Sequence, residues 1–313
     1  MRVTQDSLVQ STLNRLQTRL NEHQDASTKV STGKAWQVPS DDPARANQSL
    51  VLRADEHART QQQRNAQDAE SRLEITDSTL QSMNDRLHRA RDLAVQAAKG
   101  TNDESERTAI ADEIDEIREE LKSLANTRHA GKALFAGYTD GPAVAFSPED
   151  PEDDDELEVA FKGDDGHQID RKIGPNETVR SNVTAAEVFA ADLDDLDDGE
   201  LNAENTFSML HDLAVDVRAG DVDKVSDAIG DIDDAQDRLQ SAQSSVGVAH
   251  SRVLSALDRS ERDLLAVQKE RSDVEDVNLA EAIMELQTQE VAFESTLGSM
   301  ARVLQPSLMD FIR

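Results

Sequence analysis

Apolar residues recur at alternating intervals of three and four positions through most of the chain, which is the heptad pattern of helices that pack side by side. A first seam runs through the N-terminal residues Val9, Leu13, Leu16 and Leu20. A second and more apolar seam runs to the C-terminus through Leu279, Ile283, Leu286, Glu290, Phe293, Leu297, Met300, Leu304, Leu308 and Phe311. We therefore predict a long helix at each end of the chain.

Two further long helices are predicted between these ends. The first occupies residues 43–99, which contain neither glycine nor a second proline after Pro43, and the other occupies residues 221–278. Shorter helices are predicted near 110–124 and 202–219. Two long runs of similar length favour an antiparallel pair, so the expected fold is mainly α, a long antiparallel helical rod or coiled coil.

The middle of the chain has a different pattern, because its apolar residues alternate with polar ones as they do in β-strands. One alternating run contains Val144 and Phe146, and another contains Leu157, Val159 and Phe161. Residues 140–200 also contain 20 acidic and only 4 basic side chains. The pattern predicts a small, acidic, β-rich insert.

The stretch STGKAWQVPSDDPARA, residues 31–46, has a partial likeness to a phosphate-binding loop. Such a loop needs glycine five positions before the glycine of its Gly-Lys pair and serine or threonine directly after the lysine. Here Gly33-Lys34 is preceded at that position by Thr28 and followed by Ala35. The spacing therefore argues against a nucleotide site.

The same stretch ends with the signals of a helix start. Asp42 can accept hydrogen bonds from free backbone N–H groups, and Pro43 fits the first helical position because its missing N–H group is not needed there. Asp41 and Asp42 would also suit the positive end of the helix dipole. We predict that Ser40, Asp41, Asp42 and Pro43 form a structural joint between two helices.

Composition limits the classes of function. The chain has 313 residues, no cysteine and a formal net charge of −31, which excludes disulfides and thiolate chemistry and argues against nucleic-acid or anionic-membrane partners. The chain contains 64 acidic residues but only 9 lysines and 24 arginines. A composition this rich in acidic residues and poor in lysine suggests a surface adapted to concentrated salt. The first residues have no apolar signal region, and no apolar run is long enough to span a membrane. These features fit a cytoplasmic protein and equally one that is exported without a cleaved signal peptide.

Candidate chemistry is weak. The acidic run DLDDLDDGE, residues 192–200, has glycine at the sixth position of a calcium loop that begins at Asp194, but Leu196 and Asn205 occupy positions that need ligands. No histidine pair has metal-ligand spacing and no nucleophile has a recognisable base. We predict no catalytic residue, no cofactor and no metal site.

The two terminal seams are candidates for interaction surfaces, because a lone helix cannot bury its own apolar stripe. The two ends could pair with one another, and the pair would still present apolar surface outward. We expect both ends to be largely disordered in the single chain and to become helical only against other subunits. The predicted interaction residues are Val9, Leu13, Leu16, Leu20, Ile283, Leu286, Phe293, Leu297, Met300, Leu304, Leu308 and Phe311.

Three segments resemble the flagellin superfamily. They are the stretch STGKAWQVPSDDPARA, the segment NTRHAGKALFAGY from Asn126 to Tyr138, and the tail LAEAIMELQTQEVAFESTLGSMARVLQPSLMDFIR from Leu279. Within the superfamily, the tail looks most like that of the hook-associated proteins of the hook–filament junction. The pair Ala35-Trp36 departs from the family pattern, where a basic or small residue is expected.

The resemblance implies a flagellin-like organisation: a terminal coiled-coil assembly domain (1–38 with 279–313), a helical rod domain (39–137 with 201–278) and an acidic outer insert (138–200). It implies a non-enzymatic structural adaptor, extracellular and part of the bacterial flagellum at the hook–filament junction. Export would use the flagellar type III pathway without signal cleavage. Implied partners are further copies in a ring, another hook-associated junction protein, flagellin and a type III export chaperone.

Two alternative functions stay open. One is a small flagellin that forms the filament itself. The other is a calcium-responsive extracellular adhesion module that uses the acidic insert.

Overall fold

A computed structural model describes residues 2–146, 159–161, 168–189 and 205–309, with the side chains of the terminal helices described from residue 10 and up to residue 301. Within these ranges there are seven helices and six short strands. The helices are α1 (Arg2–Thr32), α2 (Pro43–Ala97), α3 (Glu104–Ala125), α4 (Ala185–Phe189), α5 (Thr206–Ala219), α6 (Val222–Glu275) and α7 (Leu279–Met309). The strands are β1 (Arg128–His129), β2 (Lys132–Ala133), β3 (Val144–Phe146), β4 (Val159–Phe161), β5 (Asp170–Lys172) and β6 (Thr178–Arg180).

The chain divides into two compact units. Unit 1 consists of Met1–Arg59 and Arg262–Arg313, and unit 2 is Thr60–Glu261. Unit 1 therefore contains α1, α7, the beginning of α2 and the end of α6. The predicted fold class, mainly α with long antiparallel helices and a small β-rich insert, is confirmed.

In unit 1, the beginning of α2 runs antiparallel to the end of α6. Arg59 Nη1 lies 2.6 Å from Asp263 Oδ2, and one turn earlier along α2 Glu56 Oε2 lies 2.6 Å from Arg271 Nη1. The contact nearer the N-terminus of α2 is thus made with a residue nearer the C-terminus of α6. These ion pairs fix the register of the two helices within this unit.

In unit 2, α2 and α6 also run antiparallel. Arg91 and Asp233 form a two-pronged contact with N–O distances of 2.6 and 3.2 Å, and the side chains of His88 and Gln236 meet at 3.2 Å. The partnership of two long helices predicted from their matched lengths is therefore confirmed.

The heptad pattern of α2 identifies the core of unit 2. Apolar or small residues recur there at alternating steps of three and four, and all of them are buried, namely Leu73, Thr76, Leu80, Met83, Leu87, Ala90, Ala94 and Ala97. The predicted helix α3 contributes Ile110, Ile114, Ile117 and Leu121 to the same core, and α5 packs on α3. Since no large aromatic residue is needed for such a seam, the low aromatic content is compatible with a well-filled helical core.

Local signals fix the ends of the two shorter helices. Asp103 Oδ1 accepts the N–H of Glu106, and the Glu106 carboxylate accepts the N–H of Asp103, which together form a capping box at the start of α3. Asn205 caps α5 in a similar way, and Gly220 ends that helix with φ of 76°. Glycine suits this position because the left-handed conformation strains residues with a Cβ atom.

The described strands of the insert form antiparallel pairs that share the core of the helices. Strand β3 pairs with β4, and β5 pairs with β6. The ring of Phe207 in α5 lies 4.8 to 6.3 Å, centroid to centroid, from the rings of Phe146 in β3, Phe161 in β4 and Phe189 in α4. One aromatic cluster therefore joins the described part of the insert to the helical body.

The structure adds detail that the pattern did not predict. The strands at Val144–Phe146 and Val159–Phe161 are confirmed, whereas Leu157 lies outside the described residues. The segment directly after α3 forms the short hairpin β1–β2. The short helix α4 and the strand β6 were not predicted, because elements of three to five residues contain too few positions to show a period.

We predict that Phe207→Ala lowers the free energy of unfolding by about 3–5 kcal/mol, because it opens a cavity at the centre of the aromatic cluster. Leu254→Ala, at a position in α6 that is 44% exposed, is a control that should change it by less than about 1 kcal/mol. Urea unfolding followed by circular dichroism measures both. Equal losses in the two variants would contradict the shared core.

Candidate assembly interface and joint

The two ends of the chain are helical and pair with one another in unit 1 of the single chain, whereas the sequence analysis expects largely disordered ends before assembly. Helices α1 and α7 pack closely. Two contacts show that they run antiparallel: the carbonyl of Gly33, just after α1, accepts the N–H of Val277, just before α7, and His23 stacks on Phe293 further along both helices. The rings of His23 and Phe293 have centroids 5.9 Å apart. The pair is therefore built from residues at opposite ends of the sequence.

Pairing covers only part of the predicted stripe. Leu16, Leu286, Phe293 and Met300 are half-buried. In contrast, four other members of the stripe keep between 39% and 44% of their surface exposed in the single chain, namely Leu13, Leu20, Ile283 and Leu297. The side chains of Val9, Leu304 and Leu308 and the whole of Phe311 lie outside the described residues.

A second apolar set on α7 was missed by the sequence analysis. Met284 and Val291 are 62% and 67% exposed. At about 100° per residue they lie roughly a third of a turn from the seam that contains Ile283. Their spacing of seven residues is visible in the sequence, but it forms a second stripe beside the seam that was predicted for this helix. The outward surface of α7 is therefore wider than one heptad stripe.

The joint between α1 and α2 ends where the sequence predicted, although it is longer than Ser40–Pro43 because α1 already ends at Thr32. Helix α2 starts at Pro43, and Asp42 Oδ1 accepts the N–H of Arg45 at 3.0 Å, as an N-cap residue does. Asp41 differs from the expectation. Its carboxylate accepts the N–H groups of Val38 and Gln37, both at 3.1 Å, and these bonds lower the pKa of Asp41. Asp41 thus closes the loop, while Ser40 is exposed.

A buried carboxylate lies beside this joint. Glu275, the last residue of α6, is only 3% exposed. Its Oε1 accepts hydrogen bonds from Ser49 Oγ at 2.6 Å and from Arg53 Nε at 2.7 Å, both in α2. Its Oε2 lies 3.0 Å from Lys34 Nζ. We call these four residues the Glu275 cluster.

Backbone contacts hold the cluster in place. The N–H of Ala35 donates to the carbonyl of Glu275 at 2.8 Å, and Lys34 forms an antiparallel bridge with Asp276, whose carboxylate lies 2.7 Å from Lys34 Nζ. The indole N–H of Trp36 donates to the carbonyl of Val274 at 3.3 Å. The segment after α1 is therefore tied along its length to the segment that links α6 and α7.

These contacts shift the ionisation of the cluster. The hydrogen bond from Arg53, assisted by Ser49 and Lys34, lowers the pKa of Glu275 from 4.5 to about 2, although burial acts in the opposite direction. Bonds to Asp276 and Glu275 raise the pKa of Lys34. The half-exposed Arg53 and Lys34 are partly screened by water, so their attraction is weaker than in a dry interior.

Sequence analysis missed the Glu275 cluster. Lys34 stood out only as part of a failed phosphate-loop pattern, and nothing local marks Ser49, Arg53 or Glu275. The cluster joins residues that are 222 to 241 positions apart. Only knowledge of which helices meet could have brought them together.

Two family models match the chain. The bacterial flagellin N-terminal helical region matches residues 3–140, and the bacterial flagellin C-terminal helical region matches residues 229–312. The chain belongs to the flagellin family. The matched regions include α1, α2, α3 and α7, and hence both the joint and the paired ends of this family member.

Comparison with individual proteins agrees with this family. The chain is 29% identical over 203 residues to the phase 1 flagellin of Salmonella naestved, a match that covers 60% of this chain and 38% of that flagellin. Its fold is similar to FlgL of Xanthomonas campestris (TM-score 0.58, 18% identity, 69% of this chain and 98% of that one). It is also similar to the flagellar junction protein FlgL of Legionella pneumophila (TM-score 0.54, 17% identity, 74% and 100%).

The described part of this flagellin-family chain shows no group of acidic, histidine or cysteine side chains placed to hold a metal ion. The acidic run 192–200, considered as a calcium loop, lies outside the described residues, and Asn205 serves as the cap of α5. Among the described helices, none combines the length and apolar character that crossing a bilayer requires.

We predict that Glu275→Gln lowers the free energy of unfolding by roughly 2 kcal/mol at pH 7. This is less than the free energy that corresponds to the whole pKa shift, because the cationic partners of Glu275 are half-exposed to water. The folded pKa lies below the ordinary one, so the ionised carboxylate stabilises above pH 4.5 and the effect is lost as the pH falls toward 2. Urea unfolding at pH 7 and pH 3 should therefore show a gap that shrinks by about half at pH 3.

The matched control is Glu294→Gln, at an exposed position of α7 in the same unit. It should behave like the parent chain at both pH values. A gap for Glu275→Gln that is the same at pH 7 and pH 3 would contradict the ion-pair explanation.

We also predict that Asp42→Ala costs about 1 kcal/mol of stability, because the first turn of α2 loses its cap. Ser40→Ala, two residues earlier and exposed, should stay within about 0.5 kcal/mol of the parent chain. Urea midpoints measure both, and equal losses would exclude a specific capping role.

Proposed function

We propose that this chain is a structural adaptor subunit of the bacterial flagellum that joins the hook-associated ring to the flagellin filament. The observation that carries the proposal is the outward apolar surface of the α1–α7 pair, formed by Leu13, Leu20, Ile283 and Leu297. Membership of the flagellin family and a fold similar to that of FlgL proteins support it.

Neighbouring subunits would cover this surface. Fully burying a leucine-sized side chain contributes about 1.5–3 kcal/mol, so covering the exposed remainder of four such side chains would contribute several kcal/mol per contact. A ring repeats the same contact around its circumference, which strengthens attachment without new chemistry. The interaction residues proposed from sequence, including Leu304, Leu308 and Phe311, belong to this surface in the proposal.

The joint would set the position of the terminal pair within unit 1. The Glu275 cluster and the capped start of α2 hold the end of α1 against the link between α6 and α7. A fixed angle matters for an adaptor, because two surfaces must reach different neighbours at once. In this scheme residues 1–38 and 279–313 assemble, residues 39–137 and 201–278 support them, and the acidic residues 138–200 face outward.

The remaining partners follow from the proposed place in the flagellum. They are further copies of this chain, another hook-associated junction protein, flagellin and a type III export chaperone. The proposed location is extracellular, after export by the flagellar type III pathway without cleavage of a signal peptide.

A second candidate is a small flagellin, favoured by the 29% identity to a Salmonella flagellin over 203 residues. The two candidates differ in self-assembly. A flagellin should polymerise into filaments as the purified chain, whereas an adaptor should stop at a ring or stay monomeric until its partners are present.

We predict that the double variant Ile283→Asp with Leu297→Asp blocks assembly, because it places charge on the outward surface. The isolated chain should keep its helix content, since both side chains are exposed in the single chain. The control Gln287→Asp adds charge at an exposed position of the same helix and should assemble normally. Complementation of a deletion strain, with electron microscopy of its flagella, measures the outcome.

The deletion strain tests the adaptor role. We expect hooks without filaments and flagellin released into the medium. Filaments of normal length and attachment in that strain would overturn the proposal, and normal function of the double variant would overturn the interface assignment alone.

A further inference from the structure

A cleft of about 530 Å³ lies in unit 2, between α6 and the part of the insert that contains β6 and α4. Its apolar lining includes Leu73, Val179, Ala242 and Val246, and Val248 at its border is 61% exposed. The size is within the range of about 300–1,000 Å³ that is usual for ligand pockets. It can accept a few side chains of an extended segment rather than a whole helix.

The polar lining of the cleft is unusual for a chain of net charge −31, because it is rich in arginine. Arg180, Arg238 and Arg252 line it together with one acidic residue, Glu187. Arg180 already pairs with Glu187 at 2.6 Å. Two arginines are therefore left with at least part of their hydrogen-bonding capacity.

Arg252 is only weakly held. Its Nη2 donates to the carbonyl of Thr178 at 3.2 Å and lies 3.7 Å from Glu177, whose carboxylate makes a shorter contact of 2.6 Å with Arg259. Much of the Arg252 guanidinium fork remains available to a ligand.

Arg238 is the more telling residue. Within the described part of the chain it forms no hydrogen bond or ion pair, and its Nε atom is shielded from solvent without a partner. Burial lowers its pKa, while Asp231 and Asp234 on the same helix act on it only through space. A half-buried guanidinium without a direct partner is unfavourable, and a carboxylate brought into the cleft would relieve it.

We infer that this cleft binds an acidic peptide segment with leucines between its carboxylates, supplied by a second copy of this chain. Each copy contains such a sequence, DLDDLDD at residues 192–198. Its aspartates match the guanidinium forks, which bind carboxylates through two parallel hydrogen bonds, and its leucines match the apolar lining. The inference rests on the proposed function, in which copies of the chain are neighbours in a ring.

Other ligands fit the cleft less well. A nucleic acid requires an extended basic surface, and the chain as a whole is strongly acidic. A small inorganic anion would pair with Arg238 but leave the apolar lining uncovered.

Ion pairs formed in a partly buried cleft are screened by salt much less than ion pairs on the surface, so the contact between peptide and cleft would persist at high ionic strength.

The test uses a labelled peptide of the sequence ADLDDLDDGE and the full-length chain, with binding followed by fluorescence anisotropy. We expect saturable binding to the parent chain. Arg238→Gln should weaken it at least about tenfold, because it removes a charged hydrogen-bonding partner. The matched control Arg64→Gln, which removes the same charge from an exposed position of α2 in unit 2, should bind as tightly as the parent chain.

A second variant covers the case in which Arg238→Gln fails to fold. Val248→Asp places a negative charge at the exposed border of the cleft and should also weaken binding, with helix content unchanged. Peptides with asparagine for aspartate or alanine for leucine should both bind more weakly. Absence of binding, equal binding by parent and both cleft variants, or displacement of the peptide by millimolar acetate would overturn the inference.

Failure of this inference is separable from failure of the proposed function. Peptide binding is measured on the isolated chain, whereas the adaptor role is measured by the flagella of the deletion strain. If the deletion strain has normal filaments but the peptide binds in an Arg238-dependent way, the proposed cleft is supported and the proposed junction role is refuted. Missing filaments without peptide binding would do the reverse.

Discussion

The ion-paired carboxylate of Glu275 is the contact on which the arrangement of unit 1 depends. A carboxylate that is 3% exposed is stable only if its oxygens are satisfied, and here the donors come from the segment that follows α1 and from α2. Moving either segment away would leave a buried charge without its partners. The burial of one charge therefore converts an otherwise adjustable loop into a fixed connection.

The fixed connection gives meaning to the apolar surface of the terminal helices. Each helix has a stripe wider than one partner can cover, so α1 and α7 shield Phe293 and leave Leu13 and Ile283 outward. A helix pair with apolar surface left over is a component of a larger assembly rather than a finished core. Because the pair is anchored beside Glu275, that surface is presented in a defined direction within its unit.

The sequence predicted those parts of the structure that repeat. The heptad of α2 identified buried residues such as Leu80, and alternation identified Val144–Phe146 as a strand. The cap formed by Asp42 was also predictable, because its signal is confined to neighbouring residues. Contacts between distant segments were not, since nothing near Glu275 indicates Lys34 or Ser49. The sequence places Asp41 at the positive end of the helix dipole, whereas its carboxylate accepts the N–H groups of Gln37 and Val38. These bonds depend on the path of the loop, which local sequence signals do not show.

The division of unit 1 between the two ends of the chain has a consequence for the order of folding. Its two segments are separated in sequence by the whole of residues 60–261, so contacts between them require closure of a very long loop. Unit 2 is continuous, so each of its contacts closes a shorter loop than those that join the two segments of unit 1. We therefore expect unit 1 to form last during folding and to come apart first during unfolding. In a partly unfolded chain, the two terminal helices would be separated while unit 2 is still folded.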